Sequence, residues 1–388
     1  MEKTSLKTFS SIKNLREVLR NKDASIHTYK NYIKSIRRLL QVFPEFNNNP
    51  DIIIQRIQSG EIDEIELFKR FIDFFKPEDW NKPWKTKKET LRLWLAGIKK
   101  FLRANDIKVY SEDIRDLMPK ISKRRKWEES PTKDELRELY NYLSLRGKLV
   151  LALISGSGLR IGTILKLQMR DIDLSDNPSM LQIPYSVIEN DEVIKKMKGA
   201  TSDDQGLHIG WITPEAKDYL ESYIAYRKRN GEVITPESPV ITFKVWNTPR
   251  GERKEKLGDF TNHWTLWREL RLAIIKSGID KNLTEWRGKS KYHPHFFRAY
   301  FRTMLTQAGL SEPDIAVLMG HEASVPIGWN RTNEGNIYLP EYYKPKMEYL
   351  KEQYKKAIPL LSVYDGSIER STIEMQAKKI EQLSKEKE

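Results

Sequence analysis

Cysteine is absent from the 388 residues of this sequence. That absence excludes disulfide bonds, thiol nucleophiles and cysteine-ligated zinc sites. Long apolar runs are also lacking, because no stretch approaches the roughly 18 consecutive apolar residues that a membrane-spanning helix needs. The first residues, Met1 to Ser5, contain no apolar core of a signal peptide. We therefore expect a soluble, cytoplasmic protein with no membrane partner.

Positive charge is in excess. The chain contains 68 Lys and Arg residues against 54 Asp and Glu, which gives a formal net charge of +14. Such a surplus favours a polyanionic partner, whose phosphates the cationic side chains would neutralise with release of condensed counterions. Hydrophobic residues make up 39% of the chain, so we expect folded domains, about two or three for this length.

The amino-terminal region has the periodicity of helices. Apolar residues between Ser25 and Leu40 recur at helical spacing, and a second helix is predicted to begin at a capping box formed by Thr86 and Glu89. No period-two alternation interrupts the region, so residues 1–119 are predicted to form a helical domain. Cationic residues on the other faces of the first helix are candidate contacts to the phosphates of a nucleic acid: Lys34, Arg37 and Arg38.

A basic segment follows, over residues 120–131. Its dense positive charge and the closing Ser130-Pro131 are typical of an interdomain linker. Two interpretations stay open, a segment that lies along a phosphate backbone and a solvated charge run. Under the first, the candidate DNA contacts are Lys123, Arg124, Arg125 and Lys126.

The rest of the chain mixes helices with short strands. A capping box at Thr132 and Glu135 opens a domain predicted over residues 132–365, and a charged helical tail is predicted over 366–388. The strand-like pieces are Met180 to Tyr185, Glu192 to Lys198 and Gly206 to Ile212, with a turn predicted between the last two. The later helices are predicted over Phe260 to Ser277, Pro294 to Gly309, Glu312 to Met319 and Lys346 to Ala357. The predicted fold class is therefore mostly α with a small antiparallel β-sheet.

Three short motifs suggest the chemistry. His295 and Arg298 are three residues apart on a predicted helix, so their side chains share a face. Gly320-His321 ends the next predicted helix, and Gly158-Leu159-Arg160 lies far upstream. A single histidine near an arginine is usually structural, whereas two histidines and two arginines in this order point to a common site.

This set resembles the tyrosine recombinase (lambda-type integrase) family, of the type found in archaeal mobile elements. Residues 157–172 are similar to the family's first conserved box, and the gap from Arg298 to His321 is usual for it. The resemblance covers roughly residues 130–360, and the amino-terminal region only in its helical character. It implies a helical core-binding domain and a catalytic domain that form a C-shaped clamp on DNA.

The resemblance also implies an activity. Such proteins cleave and rejoin DNA strands through a 3′-phosphotyrosine, for integration or excision of an element, with no metal or other cofactor. It implies double-stranded DNA as partner, a homotetramer on two DNA sites that is a monomer or dimer without DNA, and a nucleoid-associated location.

The reaction gives each residue a role. The transition state carries extra negative charge on the phosphate oxygens, which the guanidinium groups of Arg160 and Arg298 would hold. His295 and His321 would hydrogen-bond the phosphate or handle the tyrosine proton. The family protonates the leaving 5′-oxygen with a lysine on a hairpin turn, for which Lys198 is the best match and Lys196 the substitute.

The nucleophile and one supporting residue depart from the family pattern. The family's tyrosine follows the Gly-His histidine by nine residues, where this chain has Asn330. The register relative to the following helix favours Tyr342, while Tyr338 needs a smaller insertion and Tyr343 is a further alternate. Thr163 stands where many relatives have a glutamate, so another group must hold Arg160 or its position is looser.

Two other functions remain open at this stage. A type IB topoisomerase-like enzyme would use the same residues to relax DNA. A DNA-binding protein that has lost catalysis would fit the displaced tyrosine, although the complete set of Arg160, Lys198, His295, Arg298 and His321 argues against it.

Overall fold

The computed structural model describes residues 6–22, 24–79, 82–117, 120–121, 130–189, 192–197, 206–242, 247–248, 251–252, 260–281, 283, 290–320 and 347–364. The chain divides into two compact units, Met1–Lys126 and Trp127–Glu388. Domain limits at residues 119, 131 and 365 stay predictions.

The described residues of the amino-terminal unit contain helices and no strand, which confirms its predicted helical character for them. Its α-helices are α1 (Ser10–Asn21), α2 (Ile26–Val42), α3 (Pro50–Gln58), α4 (Glu64–Phe75) and α5 (Lys88–Arg103). Amphipathic faces of these helices bury one apolar core, in which Ile36, Phe71 and Leu95 are fully inaccessible. Helices α2 and α5 can approach closely because Gly97 has no side chain. A Cβ at that position would lie only 2.4 Å from Ser35 Oγ.

The predicted start of α5 is wrong by one residue. The helix begins at Lys88, and its N-cap is Lys87, whose side chain makes no capping bond. A capping box joins the N-cap residue to the third helical residue, whereas Glu89 is here the second. Thr86 therefore precedes the cap and forms no box with Glu89.

The carboxy-terminal unit is mostly α with small antiparallel sheets, as predicted. Its helices are α6 (Lys133–Tyr142), α7 (Leu145–Ser157), α8 (Ile161–Ile164), α9 (Pro214–Arg229), α10 (His263–Ser277), α11 (Pro294–Gln307), α12 (Glu312–Leu318) and α13 (Met347–Leu361). Its strands are β1 (Ile172–Asp173), β2 (Met180–Pro184), β3 (Ser186–Glu189), β4 (Glu192–Lys195), β5 (Leu207–Trp211), β6 (Asn247–Thr248) and β7 (Gly251–Glu252). The box at Thr132 and Glu135 is formed in full, and it opens α6.

The strands form separate small sheets. Strand β4 pairs with β3 in a hairpin, and β5 pairs antiparallel with β2, which is flanked on its other side by β1. The turn predicted between the β4 segment and β5 lies outside the described residues. The pairing of β2 with β5 buries Leu181 and Ile183 against the main core, and local sequence signals do not encode such a non-local contact.

Helix α7 lies at the centre of this unit. Nearly every residue of it is buried, including both of its glycines and Arg146. It packs against α9 and α11, and the hydroxyl of Tyr354 on α13 donates to the carbonyl of Gly156, 2.7 Å away. Helix α7 thus contacts three other helices of this unit, α9, α11 and α13.

Candidate active site

Arg160 follows a turn that only glycine accommodates. Helix α7 ends at Gly158, whose φ of +64° lies in the left-handed region, and Arg160 then serves as the N-cap of α8. A Cβ at Gly158 would lie 2.2 Å from Cδ1 of Phe301 on α11. The backbone before Arg160 is therefore packed directly on the helix that carries Arg298.

Arg298 lies next to Arg160 and is almost fully buried. Arg298 lies on α11 and is only 5% exposed. Its Nη2 donates to the carbonyl of Met319 at 2.7 Å. Burial, and then the positive charge of Arg160, lower the pKa of Arg298 to about 9. Both guanidinium groups stay cationic at neutral pH and repel each other, so an anion placed between them would be stabilised.

The guanidinium of Arg160 is half-buried and makes no hydrogen bond to another residue of the described ranges. Burial lowers its pKa. Thr163 is buried and donates instead to Sδ of Met197, at 3.8 Å. Thr163 therefore does not replace the expected glutamate, and the donors of Arg160 meet no acceptor among the described residues.

The two histidines at the start of α11 have different environments. His293 is the N-cap, and its Nδ1 accepts from the backbone N–H of Phe296 at 3.3 Å. His295 is exposed in the first turn, one turn before Arg298, and its ring centroid lies 6.2 Å from that of His293. His293 thus has a structural role, while the sequence-predicted His295 is accessible to a ligand.

Lys196, the substitute candidate for the general acid, is a structural residue. Its ammonium is buried and donates to Asp171 at 2.7 and 2.9 Å and to Oε1 of Gln168 at 2.6 Å. A buried lysine in an ion pair with a carboxylate is not available to a leaving group. The alternative of Lys196 is therefore wrong.

Several predicted site residues lie outside the described residues. These are Lys198, His321, Tyr338, Tyr342 and Tyr343, together with the linker cations Lys123, Arg124, Arg125 and Lys126. Their roles stay predictions.

Residues 129–326 match the profile of the phage integrase family. The chain belongs to the phage integrase family. The matched span contains Arg160, His295 and Arg298 and ends before the three candidate tyrosines.

Individual relatives of the phage integrase family are distant. The tyrosine recombinase XerA of Saccharolobus solfataricus is 22% identical over 239 residues, which is 61% of this chain and 61% of that protein. This chain thus spans 61% of the length of that curated relative. A crystal structure of XerA recombinase is 18% identical, over 82% of this chain and 90% of that one, with a TM-score of 0.35. A lambda integrase dimer bound to a COC′ core site is 16% identical, over 83% and 97%, with a TM-score of 0.49.

The described residues show neither a metal cluster nor a membrane span. Among them, no group of three or more His, Asp or Glu side chains could hold a metal ion. No helix in that part of the chain is both long and apolar enough to cross a bilayer.

The predicted DNA contacts on α2 divide into two kinds. Lys34 and Arg37 are exposed. The guanidinium carbon of Arg38 instead lies 5.1 Å from the ring centroid of Phe75 and 5.4 Å from that of Trp94. Cation–π packing gives Arg38 a structural role, so Arg38 is not among the DNA contacts that we propose.

His208 is a site residue that the sequence reasoning missed. It lies on β5, is 4% exposed, and its Nε2 has no hydrogen-bond partner among the residues that the structure describes. Burial, and then the charge of Arg298, lower the pKa of His208 from 6.5 to about 4. The sequence of β5 carried a signal for this residue. A strand places His208 and Gly210 on the same face, so the imidazole has a residue without a side chain next to it.

His208 should make stability depend on pH. At pH above 6.5 the ring is neutral in both states; between pH 6.5 and 4 the unfolded chain binds a proton that the folded protein does not, so stability falls as pH falls. The expected loss is about 3 kcal/mol, complete near pH 4. Urea unfolding of wild type and His208→Gln from pH 7 to 4 measures it as the difference between the two proteins. A difference that stays constant over this range would contradict the account.

Gly158→Ala should disturb the site through its backbone. The left-handed conformation and the overlap with Phe301 predict a loss of about 2–4 kcal/mol in unfolding free energy and a displacement of Arg160. Gly162→Ala is the matched control, since a Cβ there meets nothing within 4 Å. Urea unfolding measures the unfolding free energy of each of the two variants. Equal stability of the two variants would show that Gly158 is not required.

Proposed function

We propose that this protein is a tyrosine recombinase that cleaves and rejoins DNA strands through a 3′-phosphotyrosine, to integrate or excise a mobile element. The observation that carries the proposal is the pairing of Arg160 and Arg298. Their charges repel in a partly desolvated position, and the donors of Arg160 face no protein acceptor among the described residues. A phosphate with developing negative charge is the ligand that such a pair stabilises best.

The proposed reaction conserves the bond energy of the phosphodiester. A tyrosine hydroxyl, Tyr342 in our assignment, attacks the scissile phosphorus and gives up its proton, and the bond from phosphorus to the 5′-oxygen breaks. Arg160 and Arg298 hold the non-bridging oxygens, and His295 and His321 hydrogen-bond the phosphate or take the proton. Lys198 protonates the leaving 5′-oxygen. Attack by the 5′-hydroxyl of another strand reverses these steps, so neither ATP nor a metal ion is needed.

We further propose double-stranded DNA as the partner. The exposed Lys34 and Arg37 on α2 support a phosphate contact by the amino-terminal unit. Strand exchange needs two cleaved sites, which favours a homotetramer on two duplexes. The proposed site of action is the nucleoid, in the cytoplasm.

A covalent-capture experiment tests the proposal. The protein is incubated with nicked duplexes that carry a randomised core, in which the cleaved strand loses a short fragment and religation is prevented. After denaturation, DNA that stays attached to protein is recovered and sequenced. The proposal predicts an adduct that survives denaturation and an enriched core sequence, and no adduct at all would overturn it.

The recovered sequence then separates recombination from relaxation. Strand exchange between two labelled duplexes that both carry the site indicates a recombinase. Relaxation of a supercoiled plasmid without exchange indicates a type IB topoisomerase-like enzyme.

Lys198 and Lys196 provide a matched pair for the general acid. Lys198→Ala should slow cleavage by roughly 100-fold or more with little effect on stability, because general acids contribute about 10²–10⁴-fold. Lys196→Met should instead destabilise the protein by about 3–5 kcal/mol, since it leaves Asp171 buried without its cation.

A substrate with sulfur in place of the 5′-bridging oxygen checks the role of Lys198. A thiolate leaves without a proton, so Lys198→Ala should cleave this substrate nearly as fast as wild type. An equal defect on both substrates would remove Lys198 from the general-acid role.

A further inference from the structure

The imidazole of His208 lies between two glycines. A Cβ on Gly210, the residue two further along β5, would lie 3.4 Å from its Nε2. A Cβ on Gly320, at the end of α12, would lie 3.3 Å from both Nδ1 and Cε1. A Cβ on Gly320 would press on the ring, whereas one on Gly210 would make an ordinary van der Waals contact, so Gly320 provides part of the space that His208 occupies.

His208 belongs to a set of contacts beneath the arginine pair, which we call the floor of the site: Thr163, Met197, His208 and Gly320. Thr163 lies on α8 beside Arg160 and donates to Met197 Sδ. The Cε of Met197 would be 2.6 Å from a Cβ on Gly320. The floor therefore links the elements that carry Arg160 and His208 to the carboxyl end of α12.

The floor also reaches Arg298. The carbonyl of Met319, the residue before Gly320, accepts the hydrogen bond from Nη2 of Arg298. The positive charge of Arg298 in turn acts on the ring of His208. A shift of the Met319-Gly320 backbone away from His208 would thus move the acceptor that orients Arg298.

Nε2 of His208 has no hydrogen-bond partner among the described residues. A neutral imidazole has one donor and one acceptor nitrogen, and a buried polar atom without a partner is destabilising. Such a group calls for an explanation, and a role in function is one of them. Burial keeps the ring neutral, so that it adds no third positive charge beside Arg160 and Arg298.

We propose that His208 is a positioning residue for strand transfer, whose Nε2 forms a hydrogen bond in the DNA-bound site and thereby fixes the Met319-Gly320 backbone and Arg298. The role rests on the proposed function. His208 does not contact the reacting atoms and acts through the orientation of Arg298.

The test compares His208→Gln with His208→Leu in single-turnover cleavage of the captured DNA sequence. Gln keeps a polar group near the position of Nε2, whereas Leu keeps the bulk only. We expect Leu to slow cleavage by about 10–100-fold and Gln to stay within about threefold of wild type. The non-covalent DNA affinity of both variants should stay within about twofold of wild type. His208 is proposed to act in the cleavage step and not in the binding of uncleaved DNA.

The melting temperature of each variant separates positioning from packing. Two results would overturn the positioning role. In the first, His208→Leu cleaves DNA at the wild-type rate. In the second, His208→Gln and His208→Leu lose cleavage rate equally, in proportion to their loss of melting temperature. If Leu does not fold, His208→Asn replaces it, since its shorter amide retracts the polar group from Nε2. A defect in Asn but not in Gln supports the role, and equal rates contradict it.

Failure of the proposed function gives a different result. No adduct with wild-type protein would overturn the recombinase assignment and the positioning role together. A wild-type adduct with fully active His208→Leu overturns the positioning role alone.

Discussion

Replacing Arg298 or Arg160 with alanine should reduce covalent adduct formation by about 10³-fold or more, while DNA binding persists. Loss of a single donor to a developing anionic charge already costs roughly 10²–10³-fold, and each alanine removes a whole guanidinium. Single-turnover cleavage of the captured sequence measures the effect, and a mobility-shift titration measures DNA affinity. The lysine variants should recover only part of the activity, because an ammonium lacks the planar fork that binds two oxygens.

Arg302→Ala is the matched control for this prediction. Arg302 lies on the same helix one turn after Arg298, is about half exposed, and pairs with Glu312 at 2.8 Å. Its loss should leave cleavage unchanged and stability within about 1 kcal/mol. Adduct yields close to wild type in both Arg160→Ala and Arg298→Ala would count decisively against the assigned site.

Phenylalanine at position 342 should abolish the adduct, whereas phenylalanine at 338 or 343 should not. Without its hydroxyl the side chain cannot attack phosphorus, so no covalent intermediate forms. Denaturing gels of the three variants with the nicked substrate give the answer directly. If Tyr342→Phe still forms adduct, the register relative to α13 is wrong.

Tyr349→Phe controls for loss of a nearby hydroxyl. Tyr349 lies in the first turn of α13, and its hydroxyl donates to Asp314 at 3.3 Å. That bond connects α13 to α12 outside the arginine pair, so the variant should form adduct at the wild-type rate. A loss there would indicate that α13 must be held in place for attack.

Local signals in the sequence predicted most of the helices. The box at Thr132 and Glu135, the proline at the start of α9 and the apolar spacing of α11 each depend on residues within a turn or two. The placement of His295 one turn before Arg298 follows from the same short-range geometry. The exception is the start of α5, where the pattern of Thr86 and Glu89 predicted Thr86 as the N-cap and the structure has Lys87.

Most unpredicted features depend on contacts distant in sequence. The sequence predicts Lys196 and Lys198 on one face of a strand, whereas in the structure Lys196 follows the last residue of β4 and pairs with Asp171. The lowered pKa of His208 depends on its burial and on the charge of Arg298, which lies on another element. The pairing of β2 with β5 is likewise set by the core.

A crystal structure of the wild-type protein trapped on the nicked substrate would test the central claim most directly. We expect nitrogen atoms of both Arg160 and Arg298 within about 3.2 Å of non-bridging oxygens of the same phosphate, and that phosphate joined to a tyrosine oxygen. If the two guanidinium groups contact different phosphates, or the linked residue is not a tyrosine, the account is wrong.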